Sequence, residues 1–539
     1  MKSGKTAAYF LLAAAAFLFP SSCVNRRREA PPPSSSSLSS SSSFSSAAAR
    51  NYALIEPGES IDSIIRKAAA VVPSPRQWAW QAREFMGFIH FGINTFTGRE
   101  WGDGTEDPAL FNPADFDARQ WVRVFKQAGM KTLILTAKHH DGFCLWPTAE
   151  TAHGVKSGPW RGGRGDVVGE VAAACREAGL GFGFYLSPWD RHEPSYGDSP
   201  RYNTFFLAQL RELLTGYGPI AEVWFDGAPG DGPERKNQIY DWPAYYRTIR
   251  ELQPEAVIAM MAPDARWVGT ESGYGRETEW SAIPVDVRNP ESLAAASGLF
   301  PLDDVFVPRD LTAADLGSRE KLAGARVLAW YPAETDVSIR PGWFYHASQD
   351  GDVKSPEKLL DIYESSVGRN GVLLLNVPPD RRGLIHENDE EALRELRRSL
   401  DAAYGTNLAA GAAVRASASA TGHGPETMLD DDLNTFWTPP GEGGRAEITI
   451  DLPGPSEFDR FVLREHIRSG QRIESYVLEA GEGNAWRPVA RGTTVGAMRI
   501  LRFPAVSARR LRLVIEQSRA APALASLGLH RVRTESGPR

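Results

Sequence analysis

The chain has 539 residues, 42% hydrophobic and 24% charged, with a formal net charge of −7. That length suggests two or three domains, and the composition is that of a globular protein with a real core. Mild acidity without a Lys/Arg stripe argues against nucleic acid as the main partner, while 15 tryptophans serve cores first and can also cover the apolar face of a sugar.

Lys2 and Lys5 precede the apolar stretch "AAYFLLAAAAFLF", and "PSSC" ends at Cys23. A charged region, an apolar region and small residues read as a secretory signal rather than a membrane span. A cysteine directly after small residues resembles a bacterial lipoprotein signal, although Pro20 stands where an aliphatic residue is usual. That reading makes 1–23 the signal, exports the protein and anchors it to a bacterial membrane through lipidated Cys23. The alternative is a cleaved signal with an incidental cysteine. Residues 24–50 are rich in Ser and Pro with almost nothing to bury, which predicts a disordered tether. Cys144 and Cys175 remain, and both fall in apolar patterns that predict buried free thiols.

From 51 to 403 strand-like and helix-like segments alternate. The strand candidates are "FMGFIHFGIN", "TLILTAKHH", "GFGFYLSP", "IAEVWFDGA", "AVIAMM", "RVLAWYPAE" and "GVLLLNVPP". Amphipathic helical patterns such as "DFDARQWVRVFKQAGM" and "SPEKLLDIYESSV" lie between them. Apolar strands alternating with helices predict a parallel sheet, here an α/β fold of the (β/α)8-like TIM-barrel type, with one irregular unit near 265–325. No Gly-rich phosphate loop follows the first strand. From about 405 to 535 short alternating strands replace the helices, predicting an antiparallel β-sandwich. "TMLDDDLNTFWTPP" and "LRLVIE" resemble the discoidin or coagulation-factor type, a galactose-binding-like fold. The reading is of an accessory module, leaving 51–403 able to fold and act alone if the interface is modest. Its adjacent aspartates 430–432 read either as a solvated acidic turn or as a site for structural calcium.

The C-terminal ends of barrel strands build active sites. Those ends deliver His90; Lys138, His139, His140 and Asp141; Tyr185, Ser187, Trp189, Asp190, Arg191 and His192; and Trp224 with Asp226. "RWVGTESGYGRETEWS" adds Glu271, Glu277 and Glu279. A lone histidine at a strand end is more often structural than functional, and Asp226 alone could be a loop-capping residue. Adjacent His139 and His140 should point to opposite faces of a strand, so no metal site is expected in the barrel. Taken together, the groups suit a neutral, hydroxyl-rich ligand.

"HFGINTFTGREWGDG", "LILTAKHHDGFCLWPT", "YLSPWDRH", "VWFDGA", "GWFYH" and "LLLNVPPDRRG" together resemble the alpha-L-fucosidases of glycoside hydrolase family twenty-nine, over about 80–400. The resemblance implies a retaining enzyme without a catalytic cofactor, acting on terminal alpha-L-fucose of oligosaccharides or glycoconjugates. It implies Asp226 as nucleophile. It implies Glu271 as acid/base, with Thr270 where the family has Asn, and with Glu277 and Glu279 as rivals. Sugar binding is implied for His90, Glu100, Trp101, His139, His140, Tyr185, Trp224 and Trp343. "YLSPWDRH" and "MMAPDARWVG" look like the subgroup preferring branched alpha-1,3/4-fucosides, which adds Trp189 and its neighbours as an outer subsite. The alternatives are a broad-specificity fucosidase and a surface glycan-binding lipoprotein without catalysis.

Overall fold

The computed structural model describes residues 50–228, 230, 237–286, 307–308 and 313–532. The signal-type segment, Cys23 and the tether up to residue 49 lie outside them. Among the described residues no helix is long and apolar enough to cross a membrane.

Eight parallel strands form the barrel: β1 (Phe85–Ile89), β2 (Thr132–Lys138), β3 (Gly181–Leu186), β4 (Glu222–Phe225), β5 (Val257–Met260), β6 (Arg266–Trp267), β7 (Ala333–Ser338) and β8 (Val372–Asn376). Their order is β5-β4-β3-β2-β1-β8-β7-β6, and a bridge between Ala259 and Ala265 nearly closes the ring. Side-chain alternation sorts residues between two cores. Val223 and Phe225 pack outward against the helices. Trp224 points inward with Phe88, Ile134, Tyr185 and Leu374. The helices that cover the ring begin and end where the sequence chemistry says. Asp117 caps α1 (Ala118–Ala128) and Asp166 caps α2 (Val167–Ala178), each accepting an N–H of the first turn. Gly129 and Gly179 close them in the left-handed conformation. Cys144 and Cys175 are buried free thiols.

The irregular unit departs from the sequence expectation. "RVLAWYPAE" is not one barrel strand. Val327–Trp330 belongs to a separate antiparallel sheet with Tyr52–Leu54, Ala282–Asp286 and Val307–Pro308, and the barrel strand β7 starts only at Ala333. The apolar run VLAW masks the break at residues 331–332, and the barrel strand that follows, AETDVS, is too polar to be read as buried from periodicity.

Residues 413–530 form six antiparallel strands. The two long ones, Ala446–Glu465 and Arg499–Ser518, carry register shifts between Asp451 and Ser456 and between Phe458 and Arg460. Residues on both sides of these bulges enter the same core. The boundary with the barrel does not meet the condition of a modest interface. Met498 and Ile500 of the sandwich pack into the barrel's outer core, and backbone bonds join Asn370 N to Met498 O and Ile500 N to Gly368 O. Arg460 pairs with buried Glu364 at 2.7 Å. Residues 48–539 cluster as one unit.

Candidate active site

The strand ends converge on a cavity of about 440 Å³ lined by Phe88, His90, Glu100, Trp101, His139, His140, Tyr185, Trp224, Asp226, Ala228, Glu271, Asp336, Pro341, Gly342 and Trp343. Its lining thus includes Asp226, Glu271 and each residue proposed for fucose binding, but not Trp189 and its neighbours or the rivals Glu277 and Glu279. Trp189 stands behind His140, ring centroids 4.9 Å apart, with Trp101 on its edge at 5.6 Å. Gly230 lies flat on its indole, where a Cβ would come within 1.9 Å of the ring.

Asp226 ends the inward row Glu222, Trp224, Asp226. Its Oδ2 accepts the Tyr185 hydroxyl at 3.0 Å and stands 3.7 Å from His140 Nε2, while Oδ1 accepts the N–H of Ala228 at 2.7 Å. Burial and the adjacent Asp226 charge hold the Tyr185 hydroxyl protonated.

His139 and His140 both face the cavity, with rings 4.2 Å apart, contrary to the strand-alternation argument. A register shift between Thr136 and Lys138 and the end of β2 at Lys138 release them from the period of two. Lys138 turns outward to Asp190 at 2.8 Å and Gln209 at 2.9 Å.

The histidines are neutral, because burial lowers the pKa of His90 to about 3, of His140 to about 4, and of His139 well below its ordinary value. The hydrogen-bond network assigns their tautomers. Ser187 Oγ donates to Trp189 O at 2.6 Å, so His140 Nδ1–H donates to Ser187 Oγ at 2.7 Å. The Asn376 amide donates to Ser338 Oγ and Trp343 O, so its oxygen accepts His90 Nδ1–H at 2.9 Å. Both Nε2 atoms are therefore acceptors for ligand hydroxyls.

Glu100 accepts the N–H of Trp343 at 2.8 Å and bonds His346 Nε2 at 2.7 Å, tying the first-strand loop to the segment after β7. Glu271, on the loop leaving β6, borders the cavity and accepts Trp343 Nε1 at 3.3 Å. Its rivals are occupied elsewhere. Glu277 pairs with Arg369 and Arg499. Glu279 is buried against Arg266 and Arg276.

Asp336 was missed at the sequence level. It is buried, borders the same cavity and accepts Trp267 Nε1 at 2.8 Å. Burial, with Glu271 and Asp226 nearby, raises its pKa to about 7. The readable signal was Glu334 and Asp336 two apart, which puts both on one strand face. Among the described residues no three His, Cys, Asp or Glu side chains are grouped to hold a metal ion.

The geometry is that of a small pocket with four acidic side chains, Glu100, Asp226, Glu271 and Asp336, neutral imidazole acceptors and aromatic walls, and the sequence relatives agree with it. The alpha-L-fucosidase family model matches residues 77–403. The chain belongs to the alpha-L-fucosidase family. The enzyme is thus a glycoside hydrolase, and its residues 413–526 match the F5/8 type C domain. Alpha-L-fucosidase 1 of Arabidopsis thaliana is 43% identical over 85% of this chain and 87% of its own. A crystal structure from Bacteroides ovatus superposes with TM-score 0.78 and 48% identity over 91% of the enzyme and 79% of that chain. A Ruminococcus gnavus family twenty-nine fucosidase solved in complex with fucose gives TM-score 0.76 and 32% identity, covering 86% and 95% of the two chains.

The outer subsite drawn from "SPWDRH" is revised by the enzyme's packing. Asp190 is buried, paired with Lys138 and accepting the N–H groups of His192 and Glu193. His192 Nδ1 is bonded to Gly104 O at 2.6 Å, while Arg191 reaches Gly102 O beside Trp101. Arg191 and His192 remain exposed.

Proposed function

We propose that the enzyme hydrolyses terminal alpha-L-fucose with retention, Asp226 acting as nucleophile and Glu271 as acid/base. The carrying observation is that these two carboxylates border one cavity with three neutral histidines. Asp226 attacks the anomeric carbon while Glu271 gives its proton to the departing oxygen. Glu271 then takes a proton from water, which attacks the fucosyl–Asp226 ester and frees the carboxylate. His90 and His140 accept hydrogen bonds from sugar hydroxyls at Nε2, and Phe88, Trp224 and Trp343 cover the apolar face of the ring. The R. gnavus relative's complex with fucose supports fucosylated glycans as substrates.

The linkage we propose is alpha-1,3 or alpha-1,4 in branched Lewis-type glycans. Exposed Arg191, bonded to Gly102 O next to Trp101, and exposed His192 support it, since they supply polar groups outside the fucose pocket. Lys2, Lys5, the apolar stretch and Cys23 support export and lipid anchoring. Replacing Cys23 with Ala should then release the enzyme from membranes.

The test is product analysis by NMR on a Lewis trisaccharide, a linear alpha-1,2-fucoside and an aryl fucoside. Alpha-fucose should appear first, and the Lewis glycan should have the highest kcat/KM. Beta-fucose as first product would refute retention. Equal specificity constants would favour the broad-specificity reading.

A further inference from the structure

Glu271 has little of its own to hold it. It is exposed, and among the described residues its side chain is held by the 3.3 Å bond from Trp343. Its position is therefore set by the loop running from β6 to Ser281. The barrel holds the first part of that loop. Val268 N donates to Glu334 O at 2.9 Å, Gly273 N to Asp336 O at 3.1 Å, and Gly275 N to Ser365 O at 2.7 Å.

The second part is held by the sandwich. Arg499 Nη1 donates to Glu277 O at 2.6 Å. Glu279 N donates to Thr494 Oγ1 at 3.2 Å, and Gln471 Nε2 donates to Glu279 O at 2.9 Å. Ser281 N donates to Gln471 Oε1 at 2.7 Å. Gln471 and Thr494 are 0% and 1% exposed, so water cannot replace them. A relay adds a hold nearer to Glu271. Asp361 of the barrel helix Pro356–Ser366 accepts the Tyr274 hydroxyl on Oδ2 and Arg502 Nη1 of the sandwich on Oδ1, the latter at 2.7 Å.

We propose that the C-terminal sandwich is a positioning part of the active site, with Gln471, Thr494, Arg499 and Arg502 setting the place of the loop that carries Glu271. The proposal rests on Glu271 as the acid/base. A proton donor displaced by about 1 Å loses on the order of a hundredfold in rate. A loop released from these four side chains leaves Asp226 in place and lets Glu271 wander. The resulting defect is selective: it falls on substrates whose leaving group needs a proton.

The test uses the full chain with Gln471→Glu, Thr494→Val and Arg502→Met, each assayed on a fucosylated oligosaccharide and on alpha-L-fucosyl fluoride, whose leaving group departs without a proton. The expected result is a fall in oligosaccharide kcat/KM of about tenfold or more. Fucosyl fluoride should change less than about twofold, and azide should yield fucosyl azide of retained configuration. Arg502 is partly exposed, so Arg502→Met decides the matter if a buried replacement fails to fold. Parallel loss on both substrates, or no loss in folded variants, would overturn the proposal. Glu271→Ala in the same assay separates the two readings. If it does not shift the substrate ratio, the acid/base assignment fails. If it does while the sandwich variants do not, only the positioning role fails.

Discussion

The Tyr185 hydroxyl donates to Asp226 Oδ2 at 3.0 Å, from the neighbouring strand of the barrel. The bond orients the carboxylate at the strand end and fixes which lone pairs remain for the sugar. Asp226→Ala should lower turnover by several orders of magnitude, with azide restoring some activity as the inverted fucosyl azide. Tyr185→Phe removes one charge-assisted bond of about 1.5–3 kcal/mol and should cost about ten- to a hundredfold in kcat/KM. Full activity in Tyr185→Phe would show that the bond does not matter in the transition state.

Beneath the pocket, Glu222 and Glu334 are buried together. Trp80 Nε1 donates to Glu222 at 2.6 Å and Trp224 Nε1 to Glu334 at 2.7 Å. Burial raises the pKa of Glu222 to about 7 and of Glu334 well above its ordinary value, where its neighbour's charge adds to the effect. A side-chain hydrogen bond between the two carboxyls requires one of them to carry a proton. Glu334→Gln supplies both an acceptor for Trp224 and a donor for Glu222, so it should alter stability by less than about 1 kcal/mol. Glu334→Ala leaves buried partners unpaired and should cost about 2–4 kcal/mol. Denaturant unfolding of the two variants checks this.

Acid should weaken the fold through the pocket histidines. Burial holds His90 at about 3 in the folded chain, against about 6.5 unfolded. The unfolded state takes up the proton first, so the contribution of His90 is complete above pH 6.5 and is lost as pH falls toward 3. The loss amounts to a few kcal/mol, on the order of 1.4 kcal/mol per pH unit crossed. Buried acids such as Asp336 and Glu465, both raised to about 7, act in the opposite sense. A difference experiment isolates the histidine: the stability gap between wild type and His90→Gln should shrink between pH 7 and pH 4. A constant gap would mean that the folded and unfolded states take up the His90 proton over the same pH range.

Asp190 and Arg191 are adjacent but should behave differently. Asp190→Asn breaks a buried pair with Lys138 and should cost about 3–5 kcal/mol of stability without altering linkage preference. Arg191→Ala should leave the aryl fucoside rate nearly unchanged and lower kcat/KM on the branched glycan. Equal loss on both substrates would remove Arg191 from the outer subsite.

In the sandwich, Asp430 Oδ1 accepts Asp432 N at 2.9 Å and Oδ2 accepts Thr435 Oγ1 at 2.7 Å, while Asp432 Oδ1 serves Asn434 N at 2.9 Å. With these oxygens engaged in the turn, EDTA should leave the melting curve of the full chain unchanged. A chelator-induced fall in melting temperature would instead support the alternative reading of the acidic run as a structural calcium site.

The sequence by itself determined where the chemistry emerges. Apolar strands alternating with capped helices specify the parallel barrel, and the period of two aims His90, Tyr185, Trp224 and Asp226 at one mouth, because a strand's geometry is local. Where the chain leaves regular structure that rule lapses. His139 and His140 share the pocket only because β2 bulges and stops. Glu271 differs from Glu277 and Glu279 only through partners distant in sequence, Trp343 for the first and Arg369, Arg499 and Arg266 for the others. Trp189 and Asp190 are withdrawn from the mouth by Gly230 and Lys138, and Asp336 enters it because β7 begins after the break at residues 331–332. The join between barrel and sandwich was equally invisible: its polar part, such as Gln471 and Thr494, reads in sequence as surface, and its apolar part, Met498 and Ile500, reads as the sandwich's own core. Such contacts are fixed by which elements tertiary packing brings together, and no periodicity records that.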